Sequence, residues 1–390
     1  MQQKSFLIVT ASIGSGHIKA AESVSNEIKI KYPDARIHII DFMSADTARF
    51  NALLKAIYLK MLDFVPNLYE FLYKFTSGRN SHRDGFSVQS LLSLIMKRTM
   101  ASLVRQYHPD VVICTHPFPA GAASFLKRSS RQSFLFAAVM TDYSVHEMWV
   151  YPNVDLYFVA CEAMKCDLVE EGIPGQRIFV TGIPVYRGFA QLAGEKEKIF
   201  TTLGLQVNLP VVLLMGGGLG LGGMDITLQQ LEAVETPLQI LAVAGQNQLL
   251  LEKLKRLAVH SRHVVRVWGY TDQVHEFMTI ASFLITKPGA LTISEAFAAE
   301  LPLLLHEPIP GPETQNAVYA SSRGAAVWIQ SEADLVPAVQ RVLQSPDLLR
   351  EMQQQERLCK QPDAAGKIID CIMRCLLESD WSKKLPESAE

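Results

Sequence analysis

Twelve short apolar segments, six in each half of the 390-residue chain, alternate with stretches that have helical spacing. Such runs favour parallel sheets covered by helices, because strands buried on both faces need continuous apolar side chains. Each half also opens with an apolar run and a glycine-rich loop, which is typical of a doubly wound domain. We therefore predict an α/β protein with two doubly wound domains in tandem. The predicted strands are 5–11, 36–41, 110–115, 133–140, 155–160, 177–182, 210–216, 238–245, 263–269, 282–286, 302–306 and 325–329.

The join between the two halves is predicted at 187–198, where strand signals lapse and charged residues become frequent. This divides the chain into a first domain at 1–190 and a second at 191–365. The remainder, 366–390, begins with apolar residues on one helical stripe and is predicted to form a helix that packs across the domain junction. The stripe consists of Ile368, Ile369, Ile372, Met373, Leu376 and Leu377.

Composition argues against several classes of protein. The net charge is −2, from 37 basic and 39 acidic residues, so no global basic field favours nucleic acid as a partner. The six cysteines form no CxxC pair and no zinc-ligand spacing, which favours reduced thiols in the cytoplasm. No apolar run is long enough to span a membrane or to form a secretory signal. We therefore expect a cytoplasmic protein.

The segment 48–86 interrupts the α/β pattern with aromatic and aliphatic residues beside Lys and Arg. This mixture predicts a helix pair that lies on an anionic membrane surface. A helical hairpin buried on the sheet, with an exposed basic rim, is an equally open interpretation. The first interpretation predicts peripheral association with the inner face of the cell membrane.

The first glycine loop, "GSGHIKAA" (14–21), resembles only part of a dinucleotide-binding fingerprint. Gly14 and Gly16 match its first two glycines, but Lys19 occupies the third position, where close helix packing needs no side chain. His17 stands at the start of the following helix, whose dipole disfavours a protonated imidazole. We therefore expect His17 to be neutral and able to accept a proton, with a simple capping role as the alternative.

Two further glycine-rich stretches lie in the second half. "LMGGGLGLGG" (214–223) offers backbone amides to an anion, and it lacks the GK[ST] of an ATP-hydrolysing loop. "TKPGALTISEA" (286–296) combines a turn at Pro288 and Gly289 with a helix that carries Glu295. Amides at this turn could bind a pyrophosphate, and the carboxylate could accept two ribose hydroxyls. Together these stretches predict one nucleotide-diphosphate pocket.

Four motifs together resemble the monogalactosyldiacylglycerol synthase and processive diacylglycerol glucosyltransferase family. They are "GSGHIKAA" (14–21), "MTDYSVHEMWVYPNVDLYFVA" (140–160), "VTGIPV" (180–185) and "KPGALTISEAFAAELPLLLHEPIPGPETQN" (287–316). The resemblance implies a GT-B fold, in which two Rossmann-like domains face a central cleft, as in the related peptidoglycan N-acetylglucosaminyltransferase. It also implies an inverting transfer of a hexose from a UDP-sugar to a lipid hydroxyl, of diacylglycerol or glycosyl-diacylglycerol. The first domain would take the acceptor and the second the nucleotide.

The resemblance further implies roles for individual residues. His17 corresponds to the general base, and Asp142 and His146 to acceptor-side residues that orient His17 or the incoming hydroxyl. Glu295 corresponds to the ribose ligand, and the backbone at Gly269 and Tyr270 to the part that reads the uracil edge. The residues expected at the UDP-sugar are Gly14, Gly16, Gly217, Gly218, Gly269, Tyr270, Pro288, Gly289, Ala290, Leu291, Thr292, Glu295, Glu313, Gln315 and Asn316.

Two features bear on the substrates. The sequence has no DxD motif, so helix ends and amides are expected to stabilise the departing UDP, without a metal or a further cofactor. Pro312 stands where the family commonly has a glutamine that contacts the donor sugar. That contact is lost or moves to Glu313, Gln315 or Asn316.

The sequence leaves the donor open among UDP-glucose, UDP-galactose and UDP-N-acetylglucosamine, and it leaves open the acceptor, the number of sugars added and the oligomeric state. Three alternatives also stay open at this point. They are a soluble acceptor, a regulatory protein that binds UDP-sugar without catalysis, and UDP-sugar epimerisation on the same architecture.

Overall fold

The computed structural model describes residues 3–12, 14–44, 88–129, 134–191, 193–308 and 311–378. The segment 48–86, for which the sequence predicts a membrane-facing role, lies outside the described residues.

The first domain contains a six-stranded parallel sheet in the order β2-β1-β3-β4-β5-β6. All residues of β1, β3 and β5 are buried, as the apolar runs predict, whereas β2 at the edge of the sheet is half-exposed. The strands are β1 (Ser5–Thr10), β2 (Arg36–Asp41), β3 (Val111–Cys114), β4 (Leu135–Val139), β5 (Leu156–Val159) and β6 (Ile178–Val180). The helices described in this domain are α1 (Gly16–Lys31), α2 (Val88–Tyr107), α3 (Pro117–Ser129) and α4 (Glu162–Glu170).

The second domain contains another six-stranded parallel sheet, in the order β12-β11-β10-β7-β8-β9. The strands are β7 (Val211–Met215), β8 (Gln239–Val243), β9 (Val264–Trp268), β10 (Phe283–Thr286), β11 (Leu303–Leu305) and β12 (Ala326–Trp328). Its helices are α5 (Lys196–Thr202), α6 (Met224–Leu231), α7 (Gln248–Val259), α8 (Val274–Ile280), α9 (Ala290–Ala299), α10 (Pro312–Ser322), α11 (Leu335–Gln344) and α12 (Pro346–Cys359), and one further helix, α13 (Ala364–Leu377), follows this domain in the chain.

The topology of both sheets confirms the prediction of two doubly wound α/β domains. The strand order reverses between β1 and β3 in the first sheet and between β7 and β10 in the second. Ligands bind doubly wound sheets at such switch points, beyond the carboxyl ends of the strands. Each of the three glycine-rich loops follows a strand at one of these switch points, after β1, β7 and β10.

The helix α13, which follows the second domain in the chain, packs on the first domain. Ile368, Ile369 and Ile372 are fully buried in one core with Val24 and Ile28 of α1. The chain crosses the junction just before this helix, where the side chain of Gln361 lies against Gly182. Leu377, at the end of the predicted stripe, is 63% exposed. The limits 1–190, 191–365 and 366–390 remain proposed domain limits.

Candidate functional site

A cleft of about 590 Å³ lies between the two domains, beyond the carboxyl ends of their central strands. Both domains contribute side chains and loops to its walls. The predicted site residues that line it are Gly14, Gly16, His17, Asp142, Gly217, Gly218, Tyr270, Gly289, Ala290, Leu291, Thr292, Glu295, Glu313 and Asn316. The predicted site residues outside the lining are His146, Gly269, Pro288 and Gln315.

The glycine loops of the two domains meet across this cleft. A Cβ atom placed on Gly218 would lie 2.4 Å from the hydroxyl oxygen of Ser15, so only a residue without a side chain fits. A Cβ on Gly16 would lie 3.5 Å from the Cβ of Leu291, at the start of α9. The loop after β1 therefore faces both of the loops that the sequence assigns to a diphosphate.

His17 lines the cleft and is held through one ring nitrogen. Its Nδ1 lies 2.9 Å from the carbonyl oxygen of Thr115 and 2.7 Å from the hydroxyl oxygen of Thr141. A carbonyl oxygen can only accept, so Nδ1 carries the hydrogen and Nε2 keeps the lone pair. Burial lowers the pKa of His17 to about 4, so the ring is neutral at neutral pH. The sequence predicts a neutral His17 from the helix dipole alone, and the structure adds desolvation of the ring as a second cause.

Asp142 also lines the cleft, but its contact is with the second domain. Its Oδ1 accepts a hydrogen bond of 3.3 Å from the side-chain amide of Asn316. Burial is the main cause that raises the pKa of Asp142 to about 7, and the carboxylate of Glu313 acts in the same direction. The Asn316 hydrogen bond and the charge of Lys287 act in the opposite direction.

His146 is placed differently from the prediction. Its Nδ1 accepts a hydrogen bond of 3.2 Å from the backbone N–H of Met148, which caps a short helical turn. It lies outside the lining of the cleft, and burial lowers its pKa to about 4. The contacts that hold His17 come from Thr115 and from Thr141, which is the second residue of the motif at 140–160. Those two threonines escape sequence reasoning because they lie 98 and 124 residues away from the histidine.

Glu295 lies in α9 and faces the cleft, near the amino group of Lys19 from the first domain. Burial raises the pKa of Glu295 to about 8, and the charge of Lys19 opposes this shift. The Nζ of Lys19 lies 2.9 Å from a carboxylate oxygen of Glu22 and 5.8 Å from the centre of the Tyr270 ring. Lys19, which stands in place of the third glycine of the dinucleotide fingerprint, therefore reaches across the cleft to Tyr270, where the uracil edge is predicted to bind.

Asn316 is fully buried and joins the two domains. Its Oδ1 accepts from the backbone N–H of Tyr143 at 2.9 Å. Its Nδ2 donates to Asp142 and to the carbonyl oxygen of Pro288, both at 3.3 Å. Both amide hydrogens are thus used within the protein, and a contact between Asn316 and the donor sugar stays a prediction. Gln315, its neighbour, is exposed and lies outside the lining of the cleft.

Tyr143 strengthens this junction from the first domain. Its ring stacks on Tyr319 of α10 with a centroid distance of 4.3 Å, and its hydroxyl lies 2.8 Å from that of Ser294. The loop after β4 is therefore docked into the second domain by stacking and by hydrogen bonds.

Glu313, another candidate for the contact that Pro312 cannot make, forms an ion pair with Lys287. Both side chains are only 14% exposed, and both line the cleft beside Gly289. Lys287 opens the motif at 287–316, but a lysine after a strand has no spacing signal of its own, so the sequence predicts no role for it.

Within the parts of the chain that the structure describes, three or more His, Cys, Asp or Glu side chains nowhere form a group that could hold a metal ion. A search of the same residues finds no helix with the length and hydropathy needed to span a bilayer.

Comparisons with known proteins agree with the geometry of the cleft. Residues 17–185 match the family model of monogalactosyldiacylglycerol (MGDG) synthase, and 195–358 match that of glycosyl transferases group 1. A processive diacylglycerol beta-glucosyltransferase from Bacillus cereus (strain B4264) is 32% identical over 368 residues, which cover 94% of this chain and 92% of the relative. The chain belongs to this diacylglycerol glycosyltransferase family. A second member, from Bacillus cytotoxicus (strain DSM 22905 / CIP 110041 / 391-98 / NVH 391-98), is 30% identical over the same shares of both chains.

Membership of the family confirms the resemblance that the four motifs predict, and it makes the chain a glycosyltransferase. Solved structures confirm the GT-B fold. MurG of Acinetobacter baumannii is similar with a TM-score of 0.63 and 17% identity, over 95% of this chain and 99% of that one. The UDP co-structure of MnaA from S. aureus has a TM-score of 0.64 and 12% identity, over 96% and 97% of the two chains. At these identities the likeness concerns the fold alone.

Proposed function

We propose that this protein is an inverting, metal-independent glycosyltransferase that moves a hexose from a UDP-sugar to a lipid hydroxyl at a membrane surface. The acceptor is diacylglycerol or glycosyl-diacylglycerol, the class in the names of the Bacillus relatives. The observation that carries the proposal is the neutral His17, which lines the cleft where the glycine loops of both domains meet. Peripheral association with the inner face of the cytoplasmic membrane, through 48–86, is part of the proposal.

In the proposed reaction, Nε2 of His17 takes the proton of the acceptor hydroxyl. The hydroxyl oxygen then forms a bond to the anomeric carbon, on the face opposite UDP, and the bond from that carbon to the UDP oxygen breaks. UDP leaves with the electron pair, and the anomeric configuration is inverted. General-base assistance of this kind is typically worth about 10² to 10⁴ in rate.

The second domain supplies the groups that would hold the donor. Amides in the loops at Gly217, Gly218 and Gly289 and the start of α9 would stabilise the negative charge that develops on the departing diphosphate. Glu295 would bind the ribose hydroxyls, and the backbone beside Tyr270 would read the uracil edge. Complexes of UDP with proteins of the same fold, such as MnaA, support a uridine nucleotide as the ligand.

The test is product analysis with the purified protein. It is incubated in EDTA with phospholipid vesicles that contain diacylglycerol, and with UDP-glucose, UDP-galactose or UDP-N-acetylglucosamine in turn. Mass spectrometry of the extracted lipid is expected to show a hexosyl-lipid, and NMR of its anomeric proton to show a β-linkage, inverted from the α-linked donor.

Three results would contradict parts of the proposal. Absence of a lipid-linked sugar with every donor would overturn the lipid transferase. Turnover of a soluble acceptor without vesicles would favour that alternative instead. A product that forms only when Mg²⁺ replaces EDTA would overturn metal independence.

A further inference from the structure

The ion pair of Lys287 and Glu313 is unusual in its position. Lys287 directly follows β10, and Glu313 lies in the first turn of α10, so the pair stands at the donor side of the cleft. Removing two charges from water is costly, and apolar replacements of buried ion pairs are often neutral or stabilising. The side chains of Lys287 and Glu313 are each only 14% exposed, so stability of the fold does not by itself explain why this ion pair is present. Its location in a ligand cleft points to another reason for the lysine.

The ammonium group lies between the two glycine-rich loops of the second domain. A Cβ atom on Gly217 would be 3.8 Å from Nζ of Lys287, and a Cβ on Gly289 would be 3.4 Å from it. Gly217 belongs to the loop after β7, and Gly289 immediately precedes α9. An anion that is held by the amides of both loops would therefore touch the ammonium group.

The charges around the cleft give this lysine a specific task. The lysines among the described lining residues are Lys19 and Lys287, and Lys19 is paired with Glu22 at the Tyr270 end. The diphosphate end carries the carboxyl groups of Asp142 and Glu313. A diphosphate that enters there adds further negative charge, and Lys287 is the cation already in place to balance it.

We propose, on the basis of the proposed function above, that Lys287 binds the diphosphate of the donor and that Glu313 holds its ammonium group until the nucleotide enters. The diphosphate then replaces Glu313 as the partner of Lys287. As the bond from the anomeric carbon to the UDP oxygen breaks, the ammonium group stabilises the negative charge that this oxygen gains. The released Glu313 carboxylate faces the transferred sugar and accepts its hydroxyl hydrogens, in place of the contact that Pro312 cannot make.

The test compares UDP with uridine, because the two ligands differ only in the diphosphate. Affinities are measured by calorimetry for the wild type, for the double variant K287M/E313Q and for E313Q. The double variant removes both charges, so neither side chain of the pair is left behind as an unpaired buried charge. Lys253→Met is the matched control, because Lys253 forms an ion pair with Asp225 outside the cleft.

The double variant is expected to lose at least about 10-fold in affinity for UDP, as hydrogen bonds to charged groups predict, and to bind uridine within about 2-fold of the wild type. E313Q keeps the cation and removes its competitor, so its affinity for UDP should equal or exceed that of the wild type. Lys253→Met should match the wild type for both ligands.

The possible failures can be told apart. If the wild type does not bind UDP, the proposed function itself fails. If the wild type binds UDP and the double variant keeps the same ratio of UDP to uridine affinity, the role of Lys287 is overturned and the ion pair is structural. If E313Q loses as much UDP affinity as the double variant, the exchange of partners is overturned.

Discussion

The glycine loops after β1 and after β7 begin alike and then differ in what they present to the cleft. In the first loop α1 begins at Gly16, so the side chain of His17 stands in the first turn of the helix. In the second loop glycines continue to Gly223 and α6 begins only at Met224, so the loop offers backbone to the cleft. The same strand-loop-helix unit thus places a base on one side and amides on the other. What differs is the length of the loop between the end of the strand and the start of the helix, which is longer after β7 than after β1.

The largest effect on activity is expected when the loop after β1 loses the imidazole of His17. His17→Ala should lower the turnover number by about 10² to 10⁴ and leave the affinity for UDP within a few-fold, because the imidazole assists the chemical step. Vesicle assays and calorimetry measure the two quantities. His260→Ala is the control, since His260 is exposed at the end of α7. A turnover number within about 10-fold of the wild type would remove His17 from the role of base.

The second loop is tested by adding a side chain to it. Gly218→Ala places a Cβ atom 2.4 Å from the hydroxyl oxygen of Ser15, so the two loops must separate. We expect kcat/KM to fall by about 10² because reacting groups are displaced by roughly 1 Å. Gly194→Ala is the matched control, because its added Cβ meets no described atom within 4 Å. Ser15→Gly in the Gly218→Ala background should restore part of the activity, and no recovery would show that contact with Ser15 is not the cause.

A smaller effect is expected at the junction that holds the two sides together. Asn316→Ala leaves the N–H of Tyr143 and the carbonyl oxygen of Pro288 without this partner in a buried place. The free energy of unfolding should fall by about 1 to 3 kcal/mol, as measured by urea denaturation. Gln315→Ala, the adjacent exposed position, should change it by less than about 0.5 kcal/mol. Equal effects at the two positions would contradict the bridging role of Asn316.

The smallest effect is expected in how the affinity for UDP depends on pH. The pKa of Asp142, about 7, means that its carboxyl group is mostly neutral at pH 6 and mostly ionised at pH 8. An ionised carboxylate in the same cleft repels the diphosphate, so the affinity for UDP should fall about 3-fold as pH rises through 7. Asp142→Asn removes this group and should flatten that part of the pH profile, while the titration of UDP itself is common to both proteins. A profile that is identical in wild type and variant would show that Asp142 does not sense the nucleotide.

Much of the site was predictable because its parts are local. Glycines beside strand ends, His17 at a helix start and Glu295 inside a helix are patterns of a few residues, and all line the same cleft. The motif at 140–160 was informative in a different way. It located Asp142 correctly in the cleft, but the orienting role suggested for His146 depends on contacts that a motif does not specify.

The amino-acid sequence alone was sufficient to predict the twelve strands, the two doubly wound domains and the family. These features depend on periodicity and on short motifs, which involve residues close together in the sequence. The contacts between distant segments came only from the folded chain. Thr115 and Thr141 around His17, the ion pair of Lys287 and Glu313, and the docking of α13 on α1 join residues that are far apart in sequence. An apolar stripe or a lone charge in the sequence indicates that the side chains need a partner. Which partner it meets follows from how the two sheets and their helices pack in space.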